Sequence, residues 1–180
     1  MIKYSICMCN FNMEDTLATS IASIADQLNN EFEIIIVDDG STDNSLTILE
    51  KLQKQYSFLR VVKLKRSKNR RLGHTRNISI SHAKGEYVIL HIDCDDKYEN
   101  HILDFVKAYH LIENWINKDF LLKGMQINMS KKSFLLKHGP YRNLFYVEDR
   151  DLWIRMASLN SLIILKHQIF RIRMTNTFKN

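Results

Sequence analysis

Three aspartates fall within four positions of this chain, and their chemistry sets the first expectation. Asp93, Asp95 and Asp96 bring together carboxylates that repel one another unless a cation or nearby basic side chains neutralise them. Ligands that are all oxygen favour a hard divalent ion such as Mg²⁺ or Mn²⁺, which commonly completes its shell with water and substrate phosphates. The cluster predicts a site for such an ion, with a solvated acidic turn as the simpler alternative.

A second acidic turn lies earlier in the chain, at Asp38-Asp39-Gly40-Ser41. A carboxylate here can accept hydrogen bonds from a base or a ribose. The simpler interpretation is a turn that leads into a helix, with Ser41 or Asp43 as the N-cap. That interpretation accounts for Gly40 and Ser41, but it leaves two adjacent acids close to another acidic cluster unexplained.

A third acidic group, Glu148-Asp149-Arg150-Asp151, carries the candidate general base. The spacing of nearby apolar residues places it in the first turn of a helix, where acidic side chains interact favourably with the helix dipole in any case. In a pocket, one of these carboxylates would accept a proton from a substrate, and Arg155, one turn further along, would tune it. Both interpretations stay open on the sequence alone.

Basic residues are concentrated between the first two acidic clusters. From Lys51 to Gly85 the chain has no Asp or Glu, and the most basic part, Lys63–Arg76, runs from a loop into a helix. Arg and Lys beside a helix N-terminus can hold a diphosphate, and the same pattern suits nucleic acid or an anionic lipid surface. A solvated surface is the alternative for each lysine. Arg76 differs from the others because it falls within the predicted helix.

The periodicity of the apolar residues predicts alternating strands and helices that must position these clusters. The predicted strands are short apolar runs, at Tyr4–Cys9, Glu33–Val37, Leu59–Leu64, Tyr87–Ile92, Leu121–Ile127, Leu162–Leu165 and Ile169–Met174. The predicted helices have apolar residues at helical spacing, in a first segment that Asn12 is placed to cap and at Thr42–Gln55, Gly73–Ala83, His101–Ile116, Lys131–Lys137 and Val147–Leu159.

This alternation predicts an α/β fold, with a parallel sheet covered by helices on both faces. Ligands of such sheets bind beyond the carboxyl ends of the strands. Residues 10–12, 38–41 and 93–96 each follow a predicted strand, so they are expected to meet at one edge of the sheet. His91, on the strand before the last of these clusters, is interpreted as a buried histidine with satisfied hydrogen bonds.

Length and composition restrict the class of protein further. The chain has 180 residues, 45% hydrophobic and 26% charged, which is typical of one globular domain and excludes a disordered chain. A net charge of +6 favours an anionic partner or a basic surface. Cys7, Cys9 and Cys94 lack metal-ligand spacing and follow no secretory signal, so a reducing, cytoplasmic setting is expected. No apolar stretch approaches the ~18 residues of a membrane span.

Four segments together resemble the family 2 glycosyltransferases of the GT-A fold, in that family's order. They are Ser5–Asn12, Glu33–Asp43, Arg76–Asp96 and Glu148–Trp153. The resemblance implies a Rossmann-like three-layer α/β/α sandwich with a mainly parallel central sheet. It also implies a single GT-A domain over residues 1–180, with a nucleotide-sugar-binding half at 1–97 and a shortened acceptor-side half at 98–180.

The resemblance implies roles for the residues of a nucleotide site. Phe11 matches the aromatic position that stacks on the base, and Asn12 follows it in the same nucleotide-binding segment. Asp39 matches the acid that contacts the base, usually uracil, with Asp38 beside it. Arg76 matches a basic residue near the diphosphate.

The remaining matched residues imply the chemistry. Asp93 and Asp95 match the Asp-x-Asp element that binds ribose and the Mn²⁺ or Mg²⁺ bridging the diphosphate, with Asp96 as a further metal ligand. Asp149 matches the general base that deprotonates the acceptor hydroxyl, and Glu148 is the second choice. The implied reaction is a metal-dependent single displacement that inverts the anomeric carbon, with a nucleotide-diphospho-sugar as donor and UDP as the expected nucleotide.

The expected partners are this donor and a glycan, lipid-linked or protein acceptor. Peripheral contact with an anionic membrane, at its inner face, is a further expectation from the basic segment. The short second half supports one alternative, a weakly active or inactive module that binds nucleotide sugars without transferring them. A nucleic-acid-binding protein is the third hypothesis. It leaves the acidic clusters unexplained and places them near a polyanion, so nucleic acid is the least favoured partner.

Overall fold

The computed structural model describes residues 1–166 and 171–174. Within them the strands are β1 Tyr4–Asn10, β2 Phe32–Asp38, β3 Leu59–Lys63, β4 Tyr87–Asp93, β5 Asp96–Tyr98, β6 Leu121–Lys123, β7 Asn128–Lys131, β8 Leu162–Ile164 and β9 Arg171–Arg173. The helices are α1 Leu17–Ala25, α2 Ser45–Gln55, α3 Leu72–His82, α4 Ile102–Trp115, α5 Lys132–His138 and α6 Glu148–Ser158. None of these helices combines the length and the apolar character that crossing a bilayer requires.

Seven of the strands form one sheet in the order β3-β2-β1-β4-β7-β6-β8. Strands β1 to β4 run parallel to one another, β7 runs antiparallel to both β4 and β6, and β8 is parallel to β6. Within the described part of the chain, β7 is therefore the one reversed strand of this sheet. The prediction of a mainly parallel sheet is confirmed, and this sheet contains strands from both predicted halves of the chain.

Two predictions for the second half are wrong in detail. The predicted strand Leu121–Ile127 ends early, at Lys123, as β6. The chain turns there, with the Gly124 N–H donating to the Ile127 carbonyl at 2.8 Å, and returns as β7, a strand that the sequence does not predict. Strand β5 has no counterpart in the prediction, and it pairs with β9. Strand β9 falls inside the predicted Ile169–Met174 strand, of which residues 169 and 170 lie outside the described residues.

An apolar layer on each face of the sheet holds the helices in place. On one face, alternate strand residues such as Ile6 and Ile34 pack with α1, α2 and α4. On the other face, residues such as Ile35 and Val88 pack with α3, α5 and α6. Burying one such side chain contributes roughly 1.5–3 kcal/mol, so the two layers account for the three-layer α/β/α arrangement that the sequence predicts.

The predicted cap of the first helix is wrong. Helix α1 begins at Leu17, with Thr16 as its N-cap residue. Asn12 lies earlier, in the left-handed region with φ 52°, where its Oδ1 accepts the Thr42 N–H at 2.8 Å. The N-cap of α2 is Asn44 rather than either predicted residue. Asn12 thus joins two loops at the carboxyl end of the sheet instead of starting a helix.

The opposite edge of the sheet contains a buried carboxylate, Glu33, near the start of β2. Its Oε1 accepts the Ser5 hydroxyl at 2.7 Å and the Lys84 N–H at 2.6 Å, while its Oε2 pairs with Arg60 at 2.9 Å. Burial would raise the pKa of Glu33, but these donors outweigh it and hold the pKa below its ordinary value. This network joins β1, β2, β3 and the turn before β4, away from the polar clusters.

Candidate functional site

A cavity of about 280 Å³ opens at the carboxyl ends of β1, β2 and β4. Its volume lies near the lower end of the roughly 300–1,000 Å³ of small-molecule sites. Its polar lining includes Asn10, Asp39 and Asp93, one from each polar cluster that the sequence predicts at this edge, together with Arg66 and Arg70 from the loop after β3. The expected convergence of the three clusters is therefore present.

Phe11 and Asp39, the two residues expected to contact a base, line this cavity and share Arg66 as a partner. The guanidinium carbon of Arg66 lies 4.1 Å from the centre of the Phe11 ring, and its Nη1 pairs with Oδ2 of Asp39. Arg70 donates from Nε to Oδ1 of the same carboxylate at 2.6 Å. Two arginines thus neutralise Asp39, and a planar cation covers one face of the aromatic ring.

Asp38 is fully buried and organises the turn that presents Asp39. Its Oδ1 accepts the N–H groups of Gly40 at 3.1 Å and Ser41 at 2.9 Å. Its Oδ2 accepts the Asn10 amide at 2.8 Å and the Ser41 hydroxyl at 2.6 Å. Gly40 has φ 79°, and a Cβ there would lie 2.5 Å from a backbone nitrogen of the loop after β3. The turn therefore requires both the buried acid and the glycine.

Asp93, Asp95 and Asp96 each offer a carboxylate oxygen within 4.8 Å of the other two. Helix α1 fixes their backbone, because Ser20 Oγ donates to the carbonyl of Asp93 at 3.2 Å and Thr16 Oγ1 donates to the next carbonyl at 3.0 Å. Three hard oxygen donors this close match the ligands of Mg²⁺ or Mn²⁺, which takes its remaining ligands from water and phosphate. These residues fit the ion that the sequence predicts.

Arg76, in α3, links the acidic cluster to α6. Its Nη2 lies 3.6 Å from Oδ1 of Asp93, and its Nε lies 3.4 Å from Oε1 of Glu148. The ring of Tyr141 lies 5.6 Å from its guanidinium carbon. Burial opposes the charge, but the surrounding acidic groups outweigh it and raise the pKa of Arg76 above its ordinary value. Arg76 is therefore a permanent positive charge between two predicted site residues.

Glu148 and Asp149 begin α6 in different surroundings. The residue before them, Val147, has φ 59°, a left-handed conformation that is rare for a β-branched residue and is typical of functional sites. The side chain of Glu148 is 10% exposed, and that of Asp149 is 23% exposed. Oδ1 of Asp149 accepts the Arg150 N–H at 2.7 Å, and Oδ2 lies 3.4 Å from Nε2 of His91. Asp149 is the more accessible of the two predicted catalytic carboxylates.

The hydrogen bonds of Arg155, the residue expected to tune the base, go to Asp151 and to two backbone carbonyls rather than to Glu148 or Asp149. Its Nε donates to Oδ2 of Asp151 at 2.9 Å. Its Nη1 and Nη2 donate to the carbonyls of His138 at 3.1 Å and Pro140 at 2.9 Å. The side chain faces the end of α5 and the loop that follows it, so it holds that loop against α6.

The loop at residues 139–147 is bonded to α3 and to the segment before it. The Asn77 amide donates to the carbonyl of Tyr141 at 2.7 Å and accepts its N–H at 2.8 Å. Asn143 accepts the Arg71 N–H and donates to the carbonyl of Asn69, both at 2.9 Å. These four bonds fix the segment before α6 against the start of α3, and they thereby position Asp149 relative to the cavity.

Three residues beside the predicted site are not among the individual site residues that the sequence predicts, namely Arg66, Arg70 and His91. The two arginines belong to the basic segment, whose position between two acidic clusters is the available signal. Their expected partner is a diphosphate, whereas here they pair with Asp39. The apolar pattern of the sequence does not indicate that His91 lies at the site. Asn12, expected to bind nucleotide, follows Phe11 of the cavity wall, and its Oδ1 accepts the Thr42 N–H in the loop before α2.

The sequence model of the family described as "Glycosyl transferase family 2" matches residues 5–112. A cholesterol galactosyltransferase of Borreliella burgdorferi is 36% identical over 135 residues, which are 74% of this chain and 37% of that protein. The UDP-Glc:alpha-D-GlcNAc-diphosphoundecaprenol beta-1,3-glucosyltransferase WfaP of Escherichia coli is 30% identical over 180 residues, covering 86% of this chain and 70% of that protein. The chain thus spans well under half the length of the first of these relatives.

A solved structure supports the same fold. The crystal structure of S. aureus TarS 1-349 in complex with UDP-GlcNAc superposes with a TM-score of 0.77 at 20% identity, covering 98% of this chain and 62% of that one. At this identity the likeness concerns the fold alone. It confirms the predicted GT-A fold.

Proposed function

Because the chain belongs to glycosyl transferase family 2, we propose that it transfers a sugar from a nucleotide-diphospho-sugar to an acceptor hydroxyl and inverts the anomeric carbon. One observation carries the proposal. Arg76 joins Asp93, which lines the cavity and belongs to the three-carboxylate cluster, to Glu148, the residue directly before Asp149. In this proposal Asp149 faces the acceptor, the acidic cluster and Arg76 face the diphosphate with its ion, and the cavity holds the nucleoside.

The donor we propose is a UDP-sugar. The exposed face of Phe11 supports stacking of a base, and Asp39 at the cavity wall supports a hydrogen bond from the N–H of uracil. TarS, of the same fold, was crystallised with UDP-GlcNAc. A bound base would replace Arg66 and Arg70 as the partner of Asp39. The two arginines would then be free to pair with the diphosphate.

Asp93, Asp95 and Asp96 would hold Mn²⁺ or Mg²⁺ in the proposed reaction. When bound, the ion supplies positive charge that offsets the negative charge developing on the leaving diphosphate. Arg76 adds a fixed positive charge of the protein beside Asp93, and its burial makes that charge more effective than it would be in water.

Asp149 accepts the proton of the acceptor hydroxyl at a carboxylate oxygen. The acceptor oxygen forms its bond to the anomeric carbon as the bond from that carbon to the phosphate oxygen breaks. The electron pair of the broken bond leaves with the nucleoside diphosphate. Because the acceptor attacks opposite the leaving group, the configuration inverts. Glu148 stays paired with Arg76 and positions that arginine.

The acceptor we propose is lipid-linked, out of the glycan, lipid-linked and protein classes. Phe145 and Tyr146 are 72% and 80% exposed and end the loop directly before α6, with Arg142 and Arg150 exposed beside them. Aromatic and basic side chains together suit the interface of an anionic membrane, which we place at the cytoplasmic face. The names of the two relatives include cholesterol and diphosphoundecaprenol, both lipids.

A thermal-shift screen of nucleoside diphosphates, with and without Mn²⁺, tests the nucleotide site, since ligands of the native state raise Tm. We expect UDP with Mn²⁺ to give the largest rise. No rise with any nucleoside diphosphate would contradict the proposed function. UDP binding without release of sugar from UDP-glucose, UDP-galactose or UDP-GlcNAc would favour the alternative of a binding module.

The role of Asp149 is tested by comparing Asp149→Asn with Asp151→Asn, which removes the same charge from the same helix. We expect Asp149→Asn to lower kcat at least a hundredfold with unchanged affinity for UDP, and Asp151→Asn to keep most activity. Equal activity of Asp149→Asn and the wild type would exclude Asp149 as the base.

Membrane contact is tested separately by sedimentation with phosphatidylcholine vesicles that contain or lack phosphatidylglycerol. We expect binding to the anionic vesicles and its loss when Phe145 and Tyr146 are both changed to Ser. Binding that is equal for the two vesicles, or that survives this change, would contradict the lipid-facing role of the loop.

A further inference from the structure

Strand β4 contains a one-residue irregularity just before the site. Its register with β1 pairs Ile89 with Ile6 and Ile92 with Met8, so that three steps along β4 oppose two along β1. His91, within this interval, has φ 63°. An extra residue in a left-handed conformation is the geometry of a β-bulge, a feature that redirects side chains and is common beside active sites.

The bulge decides which face of the sheet receives His91. Tyr87, Ile89 and Ile92 belong to the apolar layer formed with α1 and α4. In an unbroken strand, alternation would send the side chain of residue 91 to that same layer, with Tyr87 and Ile89. Instead the imidazole lies 5.5 Å from the ring of Trp153 on α6, at an angle of 70°. Because of the extra residue, the side chain of His91 lies on the face of the sheet that packs against α6, and not in the apolar layer formed with α1 and α4.

This placement brings His91 to the candidate base. Its Nε2 lies 3.4 Å from Oδ2 of Asp149, while Oδ1 of that carboxylate accepts the Arg150 N–H at 2.7 Å. We propose that His91 is a positioning residue for Asp149, which holds the carboxylate in the orientation that faces the acceptor hydroxyl. Trp153, one turn along the same helix, fixes the imidazole in turn. The inference rests on the proposed function, because it assumes that Asp149 accepts the proton.

The expected consequence is a loss of rate rather than of binding. A general base must lie within hydrogen-bond reach of the proton that it removes, and a misplacement of about 1 Å can cost roughly a hundredfold in rate. His91 is not among the residues that line the nucleotide cavity. Removal of the imidazole should therefore leave UDP binding unchanged while Asp149 turns away from the acceptor.

The kinetic test measures kcat, KM for UDP-glucose or UDP-GlcNAc, and affinity for UDP in His91→Ala, His91→Gln, Asp149→Asn and His91→Ala/Asp149→Asn. We expect His91→Ala to lower kcat about tenfold to a hundredfold with KM within twofold of the wild type. His91→Gln, which keeps an N–H near the same carboxylate oxygen, should restore part of the rate. The double variant should be no slower than Asp149→Asn alone, because the histidine acts through the carboxylate.

The outcomes separate this inference from the function on which it rests. A normal kcat in His91→Ala together with an inactive Asp149→Asn would overturn the positioning role and leave the base in place. A normal kcat in Asp149→Asn would overturn the proposed base and the inference together. A lower Tm in His91→Ala with unchanged kcat would assign His91 a purely structural role.

A second measurement does not depend on turnover. The ring ¹⁵N and ¹H signals of His91, assigned by their absence in His91→Gln, should shift in Asp149→Asn, because the charge 3.4 Å away is removed. Asp151→Asn is the matched control, since Asp151 pairs with Arg142 and Arg155 instead. Signals that are the same in Asp149→Asn and the wild type would show that the two side chains are not in contact, and would refute the proposal.

Discussion

Replacing Glu33 by Gln should lower the stability of the fold at neutral pH and leave the nucleotide site intact. The carboxylate is 3% exposed, and its two oxygens have different partners. Oε1 accepts the Ser5 hydroxyl and the Lys84 N–H, and an amide oxygen can keep both bonds. Oε2 pairs with Arg60, and the amide NH₂ of glutamine would face that cation with a second donor. The substitution therefore removes one interaction and leaves the rest of the network in place.

The lost interaction has a definable magnitude. A hydrogen bond to a charged group contributes about 1.5–3 kcal/mol, and exposed ion pairs contribute about 0–1 kcal/mol. Because the Arg60 side chain is 36% exposed, a value of about 2 kcal/mol is expected for this pair. For a domain of this length, that corresponds to a drop in Tm of roughly 4–8 °C.

The pH dependence distinguishes this explanation from a simple packing defect. The pKa of Glu33 is lower in the folded state than in the unfolded chain, where a glutamate has a pKa of about 4.3. The stabilisation is therefore fully present above that unfolded value and is lost as the pH falls through the folded pKa. Urea unfolding at pH 7, 5 and 3.5 should show a difference between wild type and Glu33→Gln that shrinks at the lowest pH.

A difference of the same size at pH 3.5 and pH 7 would refute this reasoning. The control is Arg60→Met, which should destabilise the wild type but have little further effect in Glu33→Gln, because the pair is already broken. Affinity for UDP should be the same in all four proteins, since Glu33 lies near the amino end of β2 and the cavity lies at its carboxyl end.

Further predictions concern the loops and a thiol. Asn77→Ala should lower stability by about 1–3 kcal/mol and speed proteolysis of the 139–147 loop, because it leaves the N–H and carbonyl of Tyr141 without their partner; equal cleavage rates would contradict this. Gly40→Ala should weaken UDP binding and lower Tm, because the Cβ of the alanine would lie 2.5 Å from the backbone nitrogen of Arg66. An unchanged Kd for UDP in calorimetry would contradict this prediction. Burial raises the pKa of the Cys9 thiol to about 12, so iodoacetamide at pH 8 should alkylate it more slowly than free cysteine, as followed by mass spectrometry.

The parts of the fold that apolar patterning predicts well are the buried parallel strands. Residues 33–37 are β-branched or apolar almost throughout. A strand that is covered by helices on both faces is expected to have such a continuous apolar sequence. The acidic turns after β2 and β4 follow from the rule that sites form at the carboxyl ends of such strands. Asp39 and Asp93 accordingly line one cavity.

The apolar pattern does not predict features that depend on a single residue or on contacts between distant segments. The sequence misses the hairpin between β6 and β7, because strands of three and four residues are too short to show alternation. The bulge at His91 adds one residue within a continuous apolar strand, and periodicity does not register it. The pairing of Arg66 with Asp39 joins two loops that only the folded sheet brings together. The pattern thus predicts the framework of the site better than the contacts within it.

The bonds between α3 and the segment before α6 define the unit that engineering must keep whole. A chimera with a relative, cut at residue 97 where the sequence predicts the boundary between the two halves, would take Arg76 and Asn77 from one parent and Tyr141 and Glu148 from the other. An ion pair and two backbone hydrogen bonds would then depend on two sequences that did not evolve together. Exchanging residues 69–77 and 139–151 as a pair keeps those contacts within one parent, so the loop before α6 is transplanted together with the helix that supports it.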